Sequence, residues 1–260
     1  MDDAYLGVIK KEKTMIAKEE VNKFRTTARV VGVMYLLGIV VGIVGFMMFQ
    51  PLLGAPDALA AISATGMTLA IGAGLWLLPA IGDVAHGVLM FPVLKQHSSE
   101  RMAIGHLAAR IANGIFIAIM VLFVLIQIPL ASAYLTAAAA DAPFLQALSA
   151  LFAQGRLYAY QIGMSAVGVS GLMLCYTLFR AKLVPGWLAI WGLVGYAIIL
   201  VGMLSAVMGS GLGDLSSIVG GLWEVAIGVW LIVKGFNAPV IVSGSAKTDI
   251  NKEKAILSAV

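Results

Sequence analysis

Five ionisable side chains occur within long apolar stretches of the sequence. Asp83 and His86 lie in one stretch, His106 and Arg110 in the next, and Glu224 in the last. If such a stretch crosses a membrane, an ionisable residue near its centre costs at least about 2.5–3.5 kcal/mol on insertion scales, so it normally faces the bundle interior and has a partner. Groups of this kind can pair with one another, bind a small polar solute or carry a proton.

The spacing of these residues places them on defined helix faces. Asp83 and His86 are three residues apart and therefore share a face. His106, Arg110 and Asn113 follow at i, i+4 and i+7, which gives their helix one polar side and one apolar side. We expect such a helix to turn its polar side toward the interior of a bundle.

The depth of these residues can be estimated from the basic residue at the end of each stretch. With a rise of about 1.5 Å per residue, Asp83, His86, Arg110 and Glu224 lie about 14–18 Å along their helices from those anchors. They should therefore share one layer. We predict that the Arg110 guanidinium contacts Asp83 or Glu224, with His86 or Asn113 close by.

Two interpretations of this layer remain open. Arg110 could neutralise one acid and hold three helices together, since buried pairs can serve specificity without chemistry. Alternatively, two acids to one arginine leave a carboxyl group free to bind a proton, because burial favours its neutral form. Asp83, His86, His106, Arg110, Asn113 and Glu224 are together the candidate buried polar site.

The two histidines also invite a haem interpretation, since paired imidazoles are familiar axial ligands. His106 is expected about one turn (~6 Å) closer to the cytoplasm than His86, an offset that disfavours a shared iron. The sequence has no Cys-x-x-Cys-His attachment site and no zinc-ligand spacing. We therefore expect no cofactor and no metal.

Composition identifies the elements that must hold these residues. Hydrophobic residues make up 61% of the 260 residues and charged residues only 12%, where soluble domains carry about a quarter. A soluble domain and a disordered chain are excluded, and the lone Cys175 excludes a disulfide scaffold. The sequence predicts an all-α, polytopic membrane helix bundle in contact with the lipid bilayer. Six stretches are long enough to span it, and they are Val30–Phe49, Met67–Leu94, Gly105–Pro129, Tyr158–Phe179, Val184–Val207 and Ser216–Phe236.

The distribution of basic residues predicts the orientation of the bundle. Of the 17 Lys and Arg residues, 15 fall on one side of the six-span arrangement, which the positive-inside rule makes cytoplasmic. We predict a basic cytoplasmic segment over 1–29, a transmembrane domain over 30–236 and a polar cytoplasmic tail over 237–260. The first segment could be a helix on the membrane surface or a solvated tail. The basic balance reflects these anchors, so we expect no nucleic-acid partner.

The connector from Leu130 to Leu157 is the only long one predicted on the outer side. Asp141 followed by Pro143 is typical of a helix start. Apolar residues then recur at helical spacing. The segment is either a short amphipathic lid helix over 131–156 or the outer end of the fourth span.

Short motifs along the spans form a recognisable set. They are Arg29 to Gly32 with Tyr35-Leu36, Ala133-Tyr134-Leu135, Phe144 to Leu148, Gly168 to Arg180, Pro185, Gly192, Gly195-Tyr196, Glu224 and Trp230 to Gly235. Over roughly residues 28–236 the chain thereby resembles the domain-of-unknown-function 4386 family of bacterial six-helix membrane proteins. Where members of that family often carry a histidine just before the fourth span, this chain has Gln154-Gly155-Arg156. The family has no established activity, so the resemblance implies the fold and a bacterial membrane location only.

Three classes of function follow from the buried polar layer. The first is a small-solute or proton-coupled transport role that uses the Asp83, Arg110 and Glu224 layer. The second is a non-catalytic membrane partner or sensor protein in which the layer is structural. The third, disfavoured by the helix depths, is a haem-binding redox protein. We do not expect an enzyme, and the sequence leaves the oligomeric state open.

Overall fold

The structure is a computed structural model that describes the backbone of residues 3–237 and the side chains of residues 15, 19, 21–213 and 215–237. Within that part of the chain the regular secondary structure is entirely α-helical, as predicted. Its helices are α1 (Asp3–Leu53), α2 (Ala58–Leu75), α3 (Leu77–His97), α4 (Glu100–Leu125), α5 (Gln127–Thr136), α6 (Ala142–Arg180), α7 (Gly186–Val207) and α8 (Gly213–Val233).

Six helical segments of the described chain are long and apolar enough to cross a membrane, which confirms the predicted six spans. Two of these segments contain a break: α2 and α3 meet at Trp76, and α4 and α5 meet at Ile126. The six segments are Val21–Leu53, Ala58–His97, Glu100–Thr136, Ala142–Arg180, Gly186–Val207 and Leu215–Val233.

The first helix is much longer than a bilayer requires. α1 has 51 residues, which is about 75 Å at the helical rise, against a hydrocarbon core of about 30 Å. Phe24 and Ala28 are buried in the same core cluster as Leu183 and Phe236. Part of the segment predicted as a cytoplasmic extension therefore packs against the bundle as a continuation of the first span.

The long outer connector predicted over Leu130–Leu157 is not present. α5 continues to Thr136 and α6 begins at Ala142, so only residues 137–141 lie between them. The apolar residues at helical spacing are the outer end of the fourth span rather than a separate lid. They pack against the neighbouring helices there: Phe152 contacts Phe123 with ring centroids 6.1 Å apart.

Six helices form a closed ring. α1, α3, α4, α6, α7 and α8 each pack against the next in that order, and α8 returns to α1. α2 and α5 pack against α1, α4 and α6 in the half of the bundle that is predicted to be the outer half. The α1–α8 approach depends on glycine, because a Cβ on Gly32 would lie 2.6 Å from the carbonyl oxygen of Gly228. The ring encloses an interior to which each of its helices can contribute side chains.

The basic connectors lie at one end of this ring. The backbone N–H of Asn237, after α8, donates to the carbonyl oxygen of Leu183 in the α6–α7 turn over 2.9 Å. Gly105, near the start of α4, faces Met173, near the end of α6. The cytoplasmic location of this end stays a prediction, and the predicted tail after Asn237 lies outside the described residues.

Candidate functional site

The interior of the ring holds one connected set of polar and aromatic side chains, which we call the central cluster. Each of the six ring helices supplies at least one member, and all six residues of the predicted polar site belong to it. The members are Tyr35 on α1, Asp83 and His86 on α3, His106, Arg110 and Asn113 on α4, Ser170 on α6, Tyr196 on α7, and Trp223 and Glu224 on α8.

An ion pair between α3 and α4 forms the charged part of the cluster. Nη1 of Arg110 lies 2.5 Å from Oδ1 of Asp83, and the Asn113 side-chain amide donates to Oδ2 of Asp83. Only 1% of the Arg110 side chain is exposed, against 26% for Asp83. Both carboxylate oxygens therefore have a donor from α4, and the guanidinium charge is balanced where it is buried.

A serine on α6 connects this pair to a histidine. Nε of Arg110 donates to Oγ of Ser170 over 2.9 Å. The same hydroxyl lies 2.8 Å from Nδ1 of His106, and that nitrogen is 3.0 Å from the Ser170 carbonyl oxygen. These contacts hold the ring of His106 through Nδ1, whereas its Nε2 has no hydrogen-bond partner in the described part of the chain.

The two histidines are in contact with each other across α3 and α4. The ring centroids of His86 and His106 are 5.4 Å apart with an interplanar angle of 60°. Tyr35 packs edge-on against the other side of His86 at 5.0 Å. Since the two rings touch, a macrocycle between them would require α3 and α4 to separate.

The second acid is placed differently from the first. Oε1 of Glu224 accepts a hydrogen bond from the Tyr196 hydroxyl over 3.0 Å. Glu224 interacts electrostatically with Arg110 and Asp83, but in the described part of the chain Arg110 forms its ion pair with Asp83. Glu224 is therefore the carboxyl group of the cluster that has no paired cation.

The aromatic residues beside Glu224 are held rigidly. Trp223 is fully buried and donates from Nε1 to the carbonyl oxygen of Leu188 over 2.7 Å. Its ring packs against Tyr196, with centroids 5.2 Å apart. A Cβ on Gly171 would lie 2.2 Å from Cγ of Tyr196. Glycine at that position of α6 therefore lets the tyrosine reach Glu224.

Besides the Tyr35 hydroxyl, several buried polar atoms of the cluster have no hydrogen-bond partner among the described residues. They come from four side chains that are each at least nine-tenths buried. An unsatisfied buried polar group typically costs about 1–3 kcal/mol. As a set these atoms include both donors and acceptors, so together they could hydrogen-bond a small polar molecule. The atoms are Nδ1 and Nε2 of His86, Nε2 of His106, Nη2 of Arg110 and Oδ1 of Asn113.

Four members of the cluster were not anticipated from the sequence. Tyr35 and Tyr196 carry a detectable signal, because they lie within spans rather than at the span ends where such rings are common. Trp223 directly precedes Glu224, which could have suggested it. Ser170 carries no signal, because serine occurs throughout the spans and only the packing of α6 on α4 selects it.

A second arginine is also buried, although the sequence placed it outside. Arg156 is 6% exposed; it donates to the side chain of Gln50 over 3.1 Å and lies over the Phe49 ring at 5.5 Å. The reason is that α6 begins at Ala142, well before the predicted start of the fourth span. Arg156 belongs to the outer half and is separate from the central cluster.

The described side chains contain no group of three or more His, Cys, Asp or Glu residues that could hold a metal ion. Cys175 is buried and unpaired.

Comparison with known proteins places the chain in a family. No curated protein and no solved structure matches it. The family described as "Domain of unknown function (DUF4386)" matches residues 30–235. This range contains the whole central cluster, five of the six ring helices in full and most of the membrane segment of α1. The six-span bundle described above is thus a member of the DUF4386 family of domains of unknown function.

Proposed function

We propose that this protein transports a small polar solute, with proton coupling, across a bacterial cytoplasmic membrane, and that the central cluster is its binding site. The observation that supports this proposal is the set of unpartnered buried atoms on His86, His106, Arg110 and Asn113. Buried polar groups in membrane helices are costly and commonly mark solute or ion pathways. Four such side chains meeting in one ring exceed what one structural ion pair needs.

The charges of the cluster suggest separate roles in transport for its two acidic residues. Asp83 balances Arg110, so this pair presents the unpartnered Nη2 of the guanidinium and no net charge to a solute. Glu224 has a tyrosine hydroxyl as its hydrogen-bond donor and no paired cation. A carboxyl group that is not held by a paired cation is able to bind and release a proton. We therefore assign proton exchange to Glu224 and solute contact to Arg110 and the histidines.

The test is proton uptake into liposomes that contain the purified protein and a pH-sensitive dye. A potassium gradient with valinomycin drives protons inward, alone or with pools of amino acids, organic anions, organic cations or polyols. We expect acidification faster than in protein-free liposomes with at least one pool. Glu224→Gln should reduce it to the protein-free rate.

Glu100→Gln is the matched control. Glu100 is an exposed carboxylate in the first turn of α4, at the end of the bundle, and it is paired with Lys95 at 2.6 Å rather than with any member of the cluster. This variant should keep the wild-type rate. Wild-type rates equal to protein-free liposomes with every pool, or an unaltered rate in Glu224→Gln, would contradict the proposal.

A second candidate function rests on the completeness of the Asp83 site. Both oxygens of Asp83 are bonded by α4, and Arg110 continues to Ser170 on α6. This network joins three helices and could serve only to hold a membrane partner or sensor protein together. Two results together would favour this candidate: no proton uptake by the wild-type protein, and a double variant, Arg110→Met with Asp83→Asn, that is as stable as the wild type.

A further inference from the structure

A cleft opens at the end of the ring that carries the basic connectors. It has a volume of about 670 Å³ and lies between the α6–α7 turn and the end of α8. The Asn237 side chain donates to the Lys182 carbonyl oxygen over 3.3 Å, which holds the chain after α8 against the turn. We call this site the basic cleft, and its defining residues are Phe179, Arg180, Lys182, Trp230, Lys234 and Asn237.

The charge in the basic cleft is of one sign. Arg180 at the end of α6, Lys182 in the α6–α7 turn and Lys234 directly after α8 line it, and no acidic residue does. All three are exposed, and none forms an ion pair with a carboxylate in the described part of the chain. Three unpaired cations around one concave space suit a phosphate-bearing ligand.

Lys182 occupies a backbone position that normally selects glycine. Its φ is 54°, and it is the only residue other than glycine with positive φ among the described residues. The α6 helix ends here in a Schellman motif: Leu183 N–H donates to the Leu178 carbonyl at 3.0 Å, and Lys182 N–H to Phe179 at 3.2 Å. Glycine would adopt this conformation without strain. A lysine that keeps a strained position while lining a cleft points to a role for its side chain.

The surface beside the cleft is apolar and aromatic. Phe179 is exposed at its rim, and Trp187, in the first turn of α7, stacks on Trp191 with ring centroids 6.5 Å apart. Both tryptophans are exposed on the outside of the ring, in the manner of residues at a membrane interface. A free phosphate ion would need only the cations, whereas a phospholipid would also use this aromatic surface for its acyl chains.

We propose that the basic cleft binds the headgroup phosphate of an anionic phospholipid. The three cations contact the phosphate, and the acyl chains extend along the exposed face of α7. This site is separate from the central cluster, and the proposal does not depend on the transport function.

The experiment is native mass spectrometry of the full-length protein titrated with phosphatidylglycerol, with phosphatidylcholine in parallel. We expect one phosphatidylglycerol to bind more tightly than the rest and more tightly than phosphatidylcholine. Lys182→Gln and Lys234→Gln should each weaken that binding about fivefold, since one basic residue near an anionic lipid surface contributes about 1 kcal/mol. Arg101→Gln, which removes an exposed charge from the same end outside the cleft, should change it less than twofold.

Lys182→Gly separates loss of binding from loss of fold. It removes the charge and relieves the positive φ, so it should weaken phosphatidylglycerol binding as Lys182→Gln does while unfolding at no lower temperature than the wild type. Equal affinity of the cleft variants and the wild type would overturn the proposal, as would equal binding of phosphatidylcholine. Displacement of the bound lipid by millimolar inorganic phosphate would assign the cleft to a free anion and also overturn it.

Discussion

Replacement of Arg110 by methionine is the most informative single perturbation of this protein. The change removes the Nη1 contact of 2.5 Å to Asp83 and the Nε contact of 2.9 Å to Ser170. It leaves a carboxylate in the ring with one donor, the Asn113 amide. Methionine fills much of the vacated volume, so the principal cost is the stranded charge rather than a cavity.

The magnitude follows from the contacts that the stranded group keeps. Removing one partner of a buried ion pair typically costs about 3–5 kcal/mol. Because Asp83 keeps the Asn113 amide as a hydrogen-bond donor, the loss should lie near the lower limit, about 3 kcal/mol. Asp83→Asn added to Arg110→Met removes the stranded charge and keeps an acceptor for Asn113. This double variant should recover to within about 1–2 kcal/mol of the wild type, as charge-neutral replacements of buried pairs often do.

The assay is the unfolding midpoint of the purified variants in one detergent, with Arg101→Met as the control for loss of an exposed arginine. We expect the order wild type, Arg101→Met, double variant, Arg110→Met, from most to least stable. A midpoint for Arg110→Met equal to that of Arg101→Met would refute the pairing argument. A double variant as unstable as Arg110→Met would show that the charge of Asp83 is not what the single variant strands.

Three further predictions test the packing, the topology and the haem alternative. Gly171→Ala should lower the unfolding midpoint, because its Cβ would overlap the Tyr196 ring and overpacking typically costs about 1–3 kcal/mol. The control Gly221→Ala, which has no atom within 4 Å of its Cβ, should match or exceed the midpoint of the wild type. Equal midpoints for the two variants would contradict the close contact between Gly171 and Tyr196. In a Cys175→Ala background, a single cysteine that replaces Asp57 should react with an impermeant thiol reagent in intact cells, and one that replaces Lys182 should not. The reverse labelling would show that the predicted orientation is inverted. The purified protein should show no haem absorbance in the visible range, and a stoichiometric Soret band would mean that the contact between the two histidines opens to admit iron.

Much of the fold could be predicted from the sequence because the signals are local. A run of about 20 apolar residues must satisfy its backbone hydrogen bonds internally, so helix type and span number follow from composition along the chain. Element ends were less predictable. The start of α6 at Ala142 rather than Tyr158 depends on packing against α4, which Phe152 and Phe123 show, and no local signal records such packing.

The sequence by itself determined which residues form the polar layer, since an ionisable group such as Asp83, Arg110 or Glu224 in an apolar span has to face an interior. Only the tertiary structure decided their pairing. Helical rise gives depth but not rotation or tilt, so it could not show that Arg110 pairs with Asp83 and leaves Glu224 to Tyr196. For the same reason it could not bring Ser170 into the network, because that contact depends on how closely two helices pack, and close packing is a property of the whole ring.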